Sequence, residues 1–132
     1  MKAYIGIKFY QDCRNKELIE KISEALEKNS ITTSCVVRDM EKWGTVEYEP
    51  KELMGKALGE IDSCDIVVIE FTEKGIGLGI EAGYAFAKSV PIITIAQEGS
   101  EISNTLMGIS KRIFIYKDPC ELVDFFSQCI FT

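Results

Sequence analysis

At 132 residues, 46% apolar and 27% charged, the chain (residues 1–132) has the size and balance of a single globular domain whose core needs no disulfide or metal. A net charge of −6 argues against a nucleic-acid backbone or an anionic membrane as partner, since both demand clustered Lys and Arg. The absence of histidine removes Ser-His-Asp and Cys-His catalysis, His-based metal sites and imidazole acid–base chemistry, leaving carboxylates, hydroxyls, Lys, Arg and backbone groups.

In chain order, Ala3 to Lys8 reads as a first strand, entered with no signal-peptide pattern ahead of it. Arg14 to Lys28 is predicted to be a helix, with Leu18, Ile19, Ile22, Ala25 and Leu26 on one face. Thr33 to Val37 is a short β-branched strand, and Arg38 to Glu49 a polar surface loop carrying the only tryptophan, Trp43. Pro50 suits the first turn of a second helix, whose stripe is Leu53, Met54, Ala57, Leu58 and Ile61. Asp65 to Phe71 is nearly continuous apolar, as a central parallel strand covered on both faces should be. The glycine-rich stretch Gly75 to Gly79 then leads into a helix from about Ile80 to Lys88. Pro91 to Ala96 and Arg112 to Tyr116 read as the fourth and fifth strands. The last helix opens at Asp118, with Glu121 placed to close a capping box, and carries an apolar stripe of Leu122, Phe125, Phe126, Cys129 and Ile130.

Strands alternating with helices predict an α/β fold: a doubly wound, five-stranded parallel sheet with helices on both faces, flavodoxin-like or Rossmann-like. In such sheets ligands bind beyond the carboxyl ends of the strands. The segments after the first, third and fourth strands, Phe9 to Cys13, Thr72 to Gly79 and Gln97 to Gly108, are therefore where function is expected. The five cysteines, an odd number with no Cys-x-x-Cys pair, read as small buried or half-buried residues in a reducing compartment. The expected location is the cytoplasm, and neither a metal nor a cofactor is expected.

Gly75, Gly77 and Gly79 alternate between a buried strand and a helix, where they allow a ligand to approach the backbone and the free N–H groups of a helix start. A plain tight turn would also use them. The run Gly77 to Ala82 satisfies the G-x-G-x-x-G/A dinucleotide pattern, with Glu98 spaced as a ribose-binding acid. That fingerprint normally follows the first strand, however, and a carboxylate facing the phosphates would repel them. Glu81 falls in the first turn of its predicted helix, where the macrodipole favours a carboxylate, and Gly83 indicates close packing behind it.

These residues resemble the nucleoside 2-deoxyribosyltransferases and the related deoxynucleoside monophosphate N-glycosidases. The run GLGIEAGYA is similar to the family's G-x-E-x-G-Y-A signature, and Tyr4-Ile5-Gly6 to its first strand. Asp65 to Val68 resembles its third strand, and Asn104 to Met107 the segment one subunit lends to its neighbour's site. The resemblance implies that Glu81 is a nucleophile attacking the anomeric carbon, that Tyr4 orients it, and that Asn104 reaches across an interface of a homo-oligomer. Gly6, Gly75, Gly77 and Gly79 would border the nucleoside or nucleotide. Such chemistry needs no histidine, as in retaining glycosidases. The chain departs from the family pattern at Ala57, where an acid is expected, at Gly75, where Asp or Ser is expected, and at Ile7, in place of a phosphate-binding Ser. Glu60, one helical turn from Ala57, is a candidate stand-in. The expected activity is cleavage or transfer at an N-glycosidic bond; the alternative is a nucleotide- or metabolite-binding protein of the same fold that has lost catalysis. The apolar C-terminal residues Phe126, Ile130 and Phe131 predict a surface buried against a second copy or the chain's own sheet.

Overall fold

A computed structural model describes residues 1–130, apart from the Ile130 side chain. Its elements are β1 (Lys2–Ile7), α1 (Lys16–Glu27), β2 (Thr32–Ser34), a π-helical turn (Val36–Met40), α2 (Pro50–Asp62), β3 (Ile66–Glu70), α3 (Ile76–Ala87), β4 (Ile92–Gln97), α4 (Asn104–Ile109), β5 (Arg112–Tyr116), a 3₁₀ turn (Pro119–Glu121) and α5 (Leu122–Ile130). The five strands form one parallel sheet in the order β2-β1-β3-β4-β5. Chain order reverses between β1 and β3, so the crevice at their carboxyl ends is the natural ligand position.

The two faces hold separate apolar clusters. One packs Ile5, Val68 and Ile95 of the sheet against Ile19, Ile22 and Leu26 of α1 and Leu122 and Phe126 of α5. The other packs Tyr4, Val67 and Ile69 against Ile61 of α2, Leu78 and Ala82 of α3 and Leu106 of α4. All five residues of β3 are buried, as its uninterrupted apolar sequence requires. Pro50 begins α2 and the predicted capping box at Asp118 forms: Cys120 N–H donates to Asp118 Oδ1 at 2.8 Å, and Asp118 N–H to Glu121 Oε2 at 2.7 Å.

Several boundaries differ from the sequence expectation. The loop predicted from Arg38 is helical through Met40, and its neighbour Val37 is buried in the core. The stretch after β4 contains the short helix α4, capped by Ser103, whose hydroxyl accepts from Leu106 N–H. Most consequentially, α3 begins at Ile76 rather than Ile80, so Gly77 and Gly79 are its first-turn residues and Gly75 is its N-cap. Cys35, Cys64 and Cys129 are buried and Cys13 is half-buried, as expected, whereas Cys120 is exposed in the middle of the 3₁₀ turn. Phe126 is buried in the chain's own core; Phe131 lies outside the described residues, as does the Ile130 side chain. No helix among the described residues is long and apolar enough to cross a membrane.

Candidate active site

A cavity of about 240 Å³ opens at the β1/β3 crossover. Its floor is β1 and the residues following it, Tyr4 to Phe9; α3 contributes Gly77, Leu78 and Glu81; α2 contributes Leu53, Met54 and Ala57; and the segment after β2 contributes Cys35, Val37 and Glu41. A larger groove of about 430 Å³ lies on the other side of Gly75, between α3 and α4, but Lys74 is the only ionisable residue lining it. The smaller cavity, at the crossover, has the carboxylates Glu41 and Glu81 in its wall.

Glu81 dominates that cavity. Its oxygen Oε2 is the one buried side-chain polar atom among the described residues that has no hydrogen-bond partner. Burial raises its pKa to about 7, and a hydrogen bond from the Tyr4 hydroxyl is the opposing influence. Tyr4 is itself 1% exposed, and burial followed by the charge of Glu81 pushes its hydroxyl well above the usual tyrosine range. Tyr4 is thus a protonated donor fixed beside a carboxyl group whose titration burial has moved up toward neutrality. Glu81 Oε2 remains an acceptor open to a molecule in the cavity.

The position of Glu81 corrects one expectation. As the sixth residue of α3 it stands beyond the first turn, where the helix dipole acts. Desolvation, with the opposite sign, sets its acidity instead. Close packing at Gly83 is likewise not found, because a Cβ there would meet nothing within 4 Å. The glycine that matters to the carboxylate is Gly6. A Cβ at Gly6 would stand 2.8 Å from Glu81 Oε2 and 2.8 Å from Ile69 Cδ1, so the strand must be bare there for the acid to lie against it. Gly77 and Gly79 have open space above them, and Gly75 would accommodate a methyl group at ordinary contact distance. Of the expected site residues, Glu81, Tyr4, Gly6, Gly75 and Gly77 border one cavity; Gly79 faces the neighbouring groove. Asn104 is exposed at the start of α4 and borders neither.

No family model matches the chain. A protein of Thermofilum pendens, provisionally named a 2'-deoxynucleoside 5'-phosphate N-hydrolase, is 25% identical over 134 residues, which span 94% of this chain and 91% of that protein. A 2-deoxyribosyltransferase of Bacillus psychrosaccharolyticus superposes with a TM-score of 0.75 at 14% identity, over 94% of this chain and 91% of its own. The CMP N-glycosidase of Clostridium botulinum gives 0.69 at 18% identity, over 96% and 98%. The chain is thus similar in sequence to a provisionally named N-hydrolase and shares its fold with a 2-deoxyribosyltransferase and an N-glycosidase.

Against the pattern of the nucleoside 2-deoxyribosyltransferases, Ala57 is 2% exposed and lines the cavity, so a methyl group occupies the place expected for an acid. Glu60 does not replace it. Its carboxylate pairs with the Lys2 ammonium at the start of β1 and is absent from the cavity wall. Two features were missed in the sequence. Glu41 lines the cavity; it stands in what reads as a polar loop and carries no motif of its own. Glu70 is 2% exposed and accepts from Thr72 N–H at 2.6 Å, from Thr72 Oγ1 at 2.7 Å and from the Tyr116 hydroxyl. A charged residue inside the apolar run DIVVIEF was the available signal for it.

Proposed function

We propose that the protein cleaves or transfers at the N-glycosidic bond of deoxynucleosides or their monophosphates, with Glu81 as the nucleophile. The observation that carries this reading is the unpaired, buried Oε2 of Glu81 in the crossover cavity, oriented by Tyr4. In such surroundings Oε2 has no competing hydrogen bond from the protein to break before it attacks. Its field acts through little water on the positive charge that develops at the anomeric carbon. The sugar–base bond breaks as the Glu81 oxygen bonds to carbon, and water or a second base then displaces Glu81. The relative from Thermofilum pendens supports a 5'-phosphate on the substrate. Gly75 caps α3 without a side-chain hydrogen bond, so first-turn N–H groups are available to such an anion.

The reading includes a second copy of the chain, to bring Asn104 toward a neighbour's site. Ile76 is 86% exposed and Phe86 58%, and Ile80 and Met107 extend this apolar surface over α3 and α4. Ile113 and Ile115 of the edge strand β5 are also uncovered. Such a concentration is unusual for a surface that faces only water. A dimeric or larger mass in solution is expected, and a monomer would remove the shared-site part of the proposal.

The test is base release, followed by chromatography, from a panel of nucleosides and nucleoside monophosphates, with and without a second free base. Release by the wild type that disappears in Glu81→Ala supports the reading, and dependence on the added base distinguishes transfer from hydrolysis. The methyl group of Ala57 favours a second reading, a nucleotide-binding protein without catalysis. Thermal stabilisation by nucleotides with no release from any of them would establish that alternative.

A further inference from the structure

The family's usual acid position being apolar, the proton that a departing base needs must come from elsewhere. The groups of the cavity wall that can carry a proton are Tyr4, Lys8, Cys35, Glu41 and Glu81. Tyr4 and Cys35 hold theirs too tightly: burial raises both, Cys35 to about 11. Lys8 places its ammonium 5.7 Å from the centre of the Tyr10 ring. Glu41 has no side-chain hydrogen bond and no ion pair among the described residues, and it is half-buried.

Topology sets Glu41 apart from Glu81. β2 pairs with one edge of β1 and β3 with the other. Glu41 arrives from the β2 side and Glu81 from the β3 side, so the two carboxylates enter one cavity from different flanks of β1. The backbone that delivers Glu41 is held in an unusual form. It closes the π-helical turn, with its N–H donating to Val36 O at 2.9 Å. Lys42 (φ 48°), Trp43 (φ 60°) and Gly44 (φ 88°) follow in left-handed conformations. For non-glycine residues this costs about 1–3 kcal/mol each and persists only where the surroundings enforce it. Here they do: Trp43 N–H donates to Val37 O at 2.8 Å, and Cys13 Sγ donates to Trp43 O at 3.1 Å. The Lys16 ammonium lies 4.8 Å from the Trp43 ring centre. Both π-helical turns and strained backbone concentrate at functional sites.

We propose that Glu41 is the acid–base residue of this site, giving a proton to the leaving base and taking one back from the incoming water. The proposal rests on the N-glycosidic reading above. In the first step the bond from the anomeric carbon to the base nitrogen breaks, and its electron pair stays on the base. That nitrogen receives the Glu41 proton while a Glu81 oxygen bonds to the carbon. In the second step water bonds to the carbon, its proton passes to the Glu41 carboxylate, and Glu81 departs with the electron pair of its ester bond. Burial without a counter-charge raises the Glu41 pKa, which keeps a proton available closer to neutrality than an ordinary glutamate would.

The test compares wild type, Glu41→Gln, Glu41→Asp and Glu81→Ala on two kinds of deoxynucleoside monophosphate. One carries an ordinary base. The other carries 7-methylguanine, a cationic base that leaves neutral and needs no proton. Glu41→Gln is expected to lower kcat on the ordinary base by about 10² to 10⁴-fold, and on the methylated base by less than about tenfold. KM should change little, and Glu41→Asp should recover part of the rate. Equal losses on both bases, or no loss on the ordinary base, would overturn the role of Glu41 while Glu81→Ala still abolishes release. Wild-type release that survives Glu81→Ala, or no release at all, would overturn the underlying reading and this role with it.

Discussion

Glu70 accepts two hydrogen bonds from Thr72 and one from Tyr116, whereas Glu81, on the helix that follows, keeps one oxygen with no partner at all. Thr72 Oγ1 also accepts from Gln97 N–H at 3.0 Å, so Glu70 joins the ends of β3, β4 and β5 into one polar network. A satisfied buried carboxylate of this kind holds strands in place. An acceptor without a protein partner beside a cavity is instead open to a bound molecule, which is what the proposed role of Glu81 uses. The contrast also explains why the two residues sit where they do. Glu70 ends a strand whose neighbours supply donors, while Glu81 lies over bare backbone at Gly6 of β1 and an Ile69 methyl group of β3, with Tyr4 as its one donor.

The largest expected effect separates the two carboxylates directly. Glu81→Gln should lower base release by about 10⁴-fold or more without unfolding the protein. The same substitution should stabilise the fold at pH 8 by about 3 kcal/mol. The sign follows from the raised pKa: folded Glu81 titrates near 7 and the unfolded residue near the ordinary glutamate value of 4.5. Between these values the unfolded chain has already lost the proton, so wild-type stability falls as pH rises through that window. The advantage of Glu81→Gln should therefore vanish below about pH 4.5; urea unfolding at pH 4.5 and 8 checks it, and a pH-independent difference would contradict it.

Glu70→Ala should do the reverse. Stranding the Tyr116 and Thr72 donors and opening a cavity should cost about 3 kcal/mol, seen as a lower urea midpoint, with kcat per folded molecule within about threefold of wild type. A catalytic collapse in a still-folded Glu70→Ala would erase the distinction drawn here. Gly6→Ala tests the contact between strand and carboxylate. Its methyl group must displace Glu81 or Ile69, so release should fall by about 10²-fold, with a stability loss of about 1–3 kcal/mol. The smallest effect belongs to Tyr4→Phe. Removing the one donor that favours ionised Glu81 should move the rising limb of the pH–rate profile to higher pH, with less than about tenfold loss at pH 8.

Much of this arrangement could be read in the chain. The strand and helix order, the buried character of β3 and the capping box at Asp118 follow from local patterns that the tertiary structure leaves intact. The motif around Glu81 pointed to a residue whose Oε2 the structure buries beside the crossover cavity, without the first-turn helix dipole expected for it. Starting α3 at Ile76 instead of Ile80 moves Glu81 out of the first turn, and this could not be foreseen because glycines are poor helix formers and read as loop. Glu41 was illegible for a different reason. Its segment carries no periodicity, and a π-helical turn followed by left-handed residues has no sequence signature that distinguishes it from an ordinary loop.

Composition and periodicity by themselves determined the class of fold, the burial of the central strands and the exclusion of histidine chemistry, because these depend on neighbours along the chain. Tertiary structure alone decided which carboxylate is satisfied and which is not. That depends on donors brought from residues 2, 46 and up to 77 positions away: Thr72 and Tyr116 to Glu70, and Tyr4 to Glu81. It also decided that Gly6 rather than Gly83 makes room for the acid, since the free space around a glycine is set by what packs over it.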